Sequence, residues 1–516
     1  MMDRGLLPNI SRLANQGSSG TLESVFPPVT APAWSSIYTG TNPGKHGIYD
    51  FMRRVPGSYG VTPVDTTYRD GQSVFRIISD AGHEVFAINA PLSFPPEDLN
   101  GAVIPGLPTP FFSIAPPSLE KPFLQHLPDY EPFPESIRQL NGNTQTLYDV
   151  APVYSSRTAS AFRFLSNHFP RWRLAFVHFQ ITDMAMHFAW GDSALLEAVH
   201  VSADRAIGEL LSDLPERTVV MLISDHGHGE LSSYLHLNTW LHSNGYLAFK
   251  GAPLSRLKAL AFRAGLTPAR IYQLLFKVGL GRSVRSAIHK QSGLVLKLLQ
   301  WFFVSMDDVD WARTKAYALG NVGQIYMNVK GREPHGTIAP GPELEQEISN
   351  LQGQLLAMRN PQSGAPIAER VVRGRELFHG DRADEAPDLL LVPRDFACWN
   401  FAQAQFASAK WIEKPHDGKN GQHRMNGIIC IAGHAATKGI DLSGSILDVT
   451  PTILALLGLP LPGYLDGRVL SEAFDLELNT TKQPEDASSF QKGSRDGYTR
   501  DEEALVAERL DALGYL

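Results

Sequence analysis

The chain has 516 residues, 43% of them hydrophobic and 19% charged, with a formal net charge of -7. That length implies two domains or one large α/β domain with insertions, and the negative balance excludes a protein that coats nucleic acid non-specifically. Cys398 and Cys430 are too few for a disulfide framework, no run of about eighteen apolar residues could span a bilayer, and no basic-then-apolar leader can be read, so the chain reads as cytoplasmic.

In chain order, the first informative stretch is residues 26–40, where Phe-Pro-Pro-Val-Thr-Ala-Pro-Ala-Trp runs on to Gly40. Thr30 is a favoured N-cap, Pro32 suits a first turn and Gly40 suits a helix end, so a helix is expected from Thr30. On this motif alone Thr30 is an ordinary cap. A hydroxyl there also lies among free N–H groups at the positive end of a helix dipole, where an alkoxide or a phosphate oxygen is stabilised. The following Gly40-Thr-Asn-Pro-Gly44-Lys45-His46 is one residue short of a phosphate loop and puts His46 where a hydroxyl should bind magnesium.

Buried strands are expected at 84–90, 174–181, 219–224, 388–392 and 427–432, with helices at 155–167 and 194–214 among them. Their apolar continuity implies a largely parallel sheet with helices on both faces, an α/β architecture whose functional residues collect at strand C-termini. Asp183 and His187 follow the second strand four residues apart, on one face if the chain turns helical there. Asp225 and His226 directly follow the third, where a buried charge is costly without a ligand. His423, just before the last strand, gains meaning only as part of this set. A carboxylate and imidazoles offered together suit Zn²⁺ or Mn²⁺.

Residues 251–311 read as successive helices rich in Arg and Lys, an inserted cap between two parts of an α/β core at 1–250 and 312–475. Its stretch 293–306 is amphipathic and is expected to pack on its own protein rather than on a membrane. Thr450-Pro-Thr through Gly458 is a well-signalled structural helix. Residues 476–498 are polar and expected to form a flexible linker, before a short helix that ends at 513–516.

Taken together, these motifs resemble the alkaline phosphatase superfamily, and more closely its type I phosphodiesterase/nucleotide pyrophosphatase branch. The resemblance runs through Pro8-Asn9, Pro27-Pro28-Val-Thr30-Ala-Pro-Ala-Trp34, Asn42-Pro-Gly-Lys-His-Gly-Ile48, Asp183-x-x-x-His187, Ser224-Asp-His-Gly227, Ala386-Pro-Asp388, His423, Asp448-x-x-Pro451 and Asp466-Gly467. It implies an alkaline-phosphatase-like sandwich, two divalent metal ions and a covalent phosphoryl-enzyme intermediate on Thr or Ser. Carried over, Asp183, His187 and His423 hold one metal, Asp225 and His226 hold the second, and Thr30 is the nucleophile. The implied activity is hydrolysis of a phosphodiester or pyrophosphate bond in a small phosphorylated substrate, with no nucleic-acid polymer and no transmembrane segment. A sulfatase is disfavoured, because Thr30 and Trp34 stand where that relative needs a modifiable Cys or Ser and an Arg.

The sequence departs from the resemblance at its start. Relatives open with an apolar strand ending in an Asp that ligates the second metal, and the sequence given begins after that point. Asp3 is not a substitute, and no motif supports Asp50 or Asp65. Three readings follow: a phosphodiesterase or nucleotide pyrophosphatase whose start codon lies upstream of Met1, a phosphomonoesterase or phosphonate or lipid-headgroup hydrolase, and a one-metal binding protein of impaired activity.

Overall fold

Proline at position 8 starts α1 (Pro8–Gln16), whose N-terminal N–H groups are capped from across the molecule. The Asp204 carboxylate accepts from the backbone of Asn9 and Ile10 at 3.2 and 2.8 Å. The computed structural model describes residues 1–134, 144–267, 270, 303–401, 406–416, 418–484, 490–495 and 497–512. Strand β1 (Ser18–Glu23) is followed by α2 (Thr30–Thr39), which Gly40 closes in the left-handed conformation at φ 64°. Next come α3 (Val74–Asp80), β2 (Glu84–Ala90) and β3 (Gly101–Pro105). Then α4 (Gln145–His168), β4 (Trp172–Val177), α5 (Gln180–Phe188), α6 (Ser193–Ser212), β5 (Val219–Ile223) and β6 (Gly227–Glu230) lead to the middle of the chain.

The second half holds α7 (Pro253–Arg263), the strands β7 (Ala316–Ala318), β8 (Gln324–Met327), β9 (Ala368–Arg373) and β10 (Leu389–Pro393), and then β11 (Gly421–Arg424), β12 (Asn426–Gly433) and β13 (Asp441–Ser445). Helices α8 (Val449–Leu456) and α9 (Arg500–Ala512) complete it. No helix among the described residues is long and apolar enough to cross a membrane.

Three sheets carry the architecture. Strands β3, β2 and β4 form a parallel sheet in that order, β13, β1, β12 and β5 form a mixed one, and β7, β8, β10 and β9 form an antiparallel one. The strands expected at 219–224 and 427–432 are both present and lie side by side, but antiparallel, with Ile223 opposite Ile429. Continuous apolarity reports burial on two faces and is silent about direction, so the sequence could not separate these cases. The strand expected at 174–181 stops at Val177 because α5 begins at Gln180, which puts Asp183 in the first turn of a helix.

Like β3, β13, β7 and β9, strands β4 and β5 each end their sheet and, among the described strands, pair on one side only. Their apolar side chains are half-buried, whereas β2 is buried from Val85 to Ala90. The two nevertheless share a core: Leu174 and Phe176 of β4 and Val219, Met221 and Ile223 of β5 pack on one cluster built around Trp34, Ile37, Tyr38 and Phe75.

Much of the expected cap, including its basic residues from 277 to 297, lies outside the described residues. In its described part Lys258 pairs with Asp308 at 3.1 Å and Ser255 donates to the same carboxylate at 2.8 Å, a buried ion pair that ties α7 to the other described end of the same segment. Of the amphipathic stretch, residues 293–302 are likewise outside the description, while Phe303 and Val304 are buried. The segment expected as a flexible linker is tied down where it is described. Gly71 N–H donates to the Gln491 carbonyl at 2.7 Å, Arg495 pairs with Asp70 at 2.7 Å, and Tyr498 stacks on Phe94. Val506 and Leu510 of α9 are fully buried, and residues 513–516 lie outside the description.

Candidate metal centre

Three elements deliver the site. Helix α5 presents Asp183 and His187 four residues apart on one face. Strand β11 presents His423, and its antiparallel partner β6 presents His228 directly opposite. Glycine makes this pairing possible, since a Cβ at Gly227 would lie 2.1 Å from the Asn426 carbonyl oxygen. One ligand atom from each of Asp183, His187, His228 and His423 lies within 4.8 Å of all the others.

The donors face one another. His187 Nε2 and His423 Nε2 are 2.9 Å apart, and Asp183 Oδ1 lies 3.7 Å from His187, 3.6 Å from His423 and 3.3 Å from His228. The other ring nitrogens are already fixed: His187 Nδ1 donates to the Gly421 carbonyl at 3.1 Å and His423 Nδ1 to the Pro28 carbonyl at 2.7 Å. A carbonyl oxygen only accepts, so in the neutral rings the proton sits on Nδ1 and the Nε2 lone pairs point inward. Burial keeps these rings neutral, holding His187 and His228 well below the usual histidine range and His423 down at about 4. Burial alone would raise Asp183, but His187 and His423 beside it hold the carboxyl well below the usual carboxylate range. Inward lone pairs gathered around an ionised carboxylate are the arrangement a divalent cation satisfies.

Asp225 and His226 leave the end of β5 next to this cluster. The His226 ring stacks on His423 with centroids 3.6 Å apart, and His226 Nε2 is 3.3 Å from Asp225 Oδ2. Burial pushes the Asp225 carboxyl up to about 6, with the charge of His226 opposing it and that of Asp183 reinforcing it. His178, just past β4, is held down at about 4 by burial, its ring edge-on to Trp34.

Thr30 is 2% exposed and stands as the first residue of α2, with Val29 in the cap position. Its side chain makes no capping bond, so the plain-cap reading of this residue is set aside. Its Oγ1 is one of a group of buried polar atoms without a hydrogen-bond partner, along with Trp34 Nε1, His178 Nδ1, Gln180 Oε1, Asp225 Oδ2, His226 Nε2 and His228 Nε2. Such atoms are uncommon in a folded interior, and those of Asp225, His226 and His228 lie beside the Asp183–His187–His423 cluster. The fit to a cationic group is therefore good on donor chemistry.

The structure thus brings together Asp183, His187 and His423, sets Asp225 and His226 against them, and bonds His423 to the Pro28 carbonyl two residues before Thr30. Asp3 lies in an exposed turn, Asp50 is bonded to Asn321 and the Phe51 N–H, and Asp65 to Thr67 and Tyr68, so none of the three joins the site. Sequence reasoning missed His228. The available signal was the alternation His226-Gly-His228, which puts two imidazoles on one side of an extended chain.

The model of the family described as type I phosphodiesterase / nucleotide pyrophosphatase matches residues 1–401. That stretch takes in Thr30, Asp183, His187, Asp225, His226 and His228, while His423 lies beyond it and joins the site on geometry. No curated protein matches the chain. Among solved structures, phosphonoacetate hydrolase from Sinorhizobium meliloti 1021 in complex with phosphonoacetate is similar with a TM-score of 0.52 and 14% identity, over 87% of this chain and 89% of that one. The same protein in complex with phosphonoformate gives 0.50 and 14% over the same shares. A mutant of the alkaline phosphatase PafA gives 0.49 and 13% identity, over 90% of this chain and 94% of that one. At these identities the likeness to phosphonoacetate hydrolase is one of fold, an α/β fold.

Proposed function

We propose that this chain, which belongs to the type I phosphodiesterase / nucleotide pyrophosphatase family, is a metal-dependent hydrolase cleaving phosphodiester or pyrophosphate bonds in a small phosphorylated substrate, with Thr30 as nucleophile. The observation that carries this reading is the convergence of Asp183, His187 and His423 on one point, with Asp225 and His226 stacked against it. Asp183, His187 and His423 would hold one divalent cation, Zn²⁺ or Mn²⁺, and Asp225 and His226 a second. Bound there, such cations neutralise charge on the phosphoryl oxygens and lower the pKa of a hydroxyl beside them.

The chain's own groups supply the rest. The buried Thr30 hydroxyl is unpaired and stands at the start of α2, whose first-turn N–H groups suit a phosphoryl oxygen. Thr30 Oγ bonds to phosphorus as the bond to the leaving oxygen breaks; the hydroxyl proton passes to solvent, and the leaving oxygen takes one up. Water then attacks the phosphothreonine, the Thr30 oxygen leaves and is reprotonated, and the phosphoryl group departs.

Chelation tests the reading. Turnover of bis(p-nitrophenyl) phosphate should vanish on metal removal, return with Zn²⁺ or Mn²⁺, and exceed that of p-nitrophenyl phosphate, and acid-quenched enzyme should carry a p-nitrophenyl phosphoryl group on Thr30. A preference for the monoester selects a phosphomonoesterase instead, and no turnover with metal bound removes the hydrolase reading.

A further inference from the structure

We propose that the outer face of α7 is a docking surface for an anionic lipid bilayer, seated by Leu254, Leu257 and Leu260 and steered by Arg256 and Arg263. The inference goes beyond the hydrolase reading and does not rest on it, since it uses no residue of the metal centre.

The helix is mounted with its apolar side outward. Ser255, Lys258 and Phe262, spaced at three and four residues, form its buried stripe. Lys258 pairs with Asp308 at 3.1 Å, Ser255 donates to the same carboxylate at 2.8 Å, and the Phe262 ring meets Phe249 and Phe406 edge-on. Those contacts fix the rotation of the helix about its axis. Leu254, Leu257 and Leu260 are left 45%, 64% and 62% exposed, and Leu266 just past the helix is 57% exposed. A surface helix ordinarily turns its leucines inward and its lysine out. Here the ion pair is inside and the leucines are in water, an arrangement that costs free energy unless a second apolar phase covers it.

Charge selects the occupant. Asp and Glu number 53 in the chain, yet none stands between Glu230 and Asp307. Arg256 and Arg263 stand four residues before and three after Leu260, which places both beside it on the helix surface. Both are exposed, and among the described residues neither pairs with a carboxylate. A chain of net charge -7 thus carries one acid-free sector. An apolar ridge rimmed by guanidinium groups matches an interface where acyl chains lie under anionic headgroups. A nucleic acid would meet the arginines and leave the leucines in water. The basic residues that follow in sequence, from Lys277 to Lys297, have the same sign, so laying them over α7 would gather like charges.

Vesicle flotation of the full-length protein tests the surface. The wild type should float with phosphatidylcholine vesicles containing about one third phosphatidylglycerol, and at least about tenfold less with pure phosphatidylcholine. Leu257→Ser combined with Leu260→Ser should lower partitioning by about tenfold or more through lost apolar contact. Arg256→Gln combined with Arg263→Gln should lower it by about tenfold or more at low salt, a loss that shrinks as salt rises. These side chains lie on the surface, so the melting temperature should match wild type in both double variants. Leu257→Trp should add a water-exposed emission that shifts to the blue only when anionic vesicles are present.

A wild type that stays behind when anionic vesicles float overturns the proposal. So does a serine double variant that floats as wild type does, because binding is then electrostatic alone. Emission from Leu257→Trp that is already shielded without vesicles also overturns it and assigns the face to the chain itself or, where gel filtration shows a dimer, to a second copy. Flotation in chelator keeps this test apart from the hydrolase reading: binding without any metal-dependent turnover leaves the docking surface standing, and turnover without binding removes the surface alone.

Discussion

The two halves of the site are built to different standards. On one side four donors from α5, β6 and β11 converge within 4.8 Å, and two of the imidazoles are pinned by backbone carbonyls through their far nitrogens. On the other, Thr30, Asp225 and His226 are also buried, and Oγ1, Oδ2 and Nε2 lack hydrogen-bond partners, as His228 Nε2 alone of the imidazole nitrogens named on the first side does. A buried polar atom without a partner costs roughly 1–3 kcal/mol. The contrast teaches where ligand dependence should reside: the first half is preorganised to hold a cation, and the second is relieved only when something binds.

The largest effect should come from the second half. Thr30→Ala removes a hydroxyl that contributes no cap and no hydrogen bond, so the melting temperature and the metal content should stay where they are. Turnover should fall by roughly 10⁴-fold or more, as when a nucleophile is removed elsewhere. Steady-state kinetics with metal analysis on the same sample checks both expectations, and residual activity near wild type would take Thr30 out of the reaction. A matched loss of metal would instead mean that the two halves are one unit.

Asp225→Asn probes the same half through stability. Burial raises the folded-state pKa from 3.8 to about 6, so between these values the folded protein binds more protons than the unfolded chain. Stability from this group is fully present below pH 3.8 and is lost as pH rises through 6. At pH 7 the metal-free protein therefore carries a deficit of roughly 3 kcal/mol at this residue, at about 1.36 kcal/mol per unit. Metal-free Asp225→Asn should melt higher than wild type at pH 7, with the gain shrinking toward zero near pH 4. His423 provides the contrast. Its pKa falls from 6.5 to about 4, so its contribution is present above 6.5 and is lost as pH falls toward 4. Melting curves in chelator across that range should separate the two groups by sign.

Much of this was legible in the sequence, and most of the omissions share one cause. The strand at 84–90, the Asp183–His187 spacing and Asp225–His226 after β5 all depend on neighbours along the chain, where periodicity and helix geometry act. His228 depends on strand register, and its partner His423 lies in a distant segment that no local pattern connects to it. The antiparallel direction of β12 against β5 was hidden for the same reason, as was the docking of the polar segment around Arg495 onto Asp70. Thr30 was misjudged by a single position. A cap and a first helical residue look alike in sequence, yet only the cap turns its hydroxyl to the backbone, and this small shift leaves Oγ1 unengaged.

The smallest expected effect bears on why the first half is preorganised. Gln180 is 3% exposed, opens α5, and donates from Nε2 to Asp183 Oδ2 at 3.0 Å. That bond leaves Oδ1 to face the three imidazoles and stops the carboxylate from rotating into a two-oxygen mode. Gln180→Ala should lower Co²⁺ affinity by about tenfold, the low end for an outer partner, without altering the visible spectrum because every donor remains. Diester turnover with saturating metal should change little, because Asp183, His187 and His423 all remain. A large fall in turnover at full metal occupancy would mean that Asp183 orientation is felt at Thr30, and that the two halves share the substrate after all.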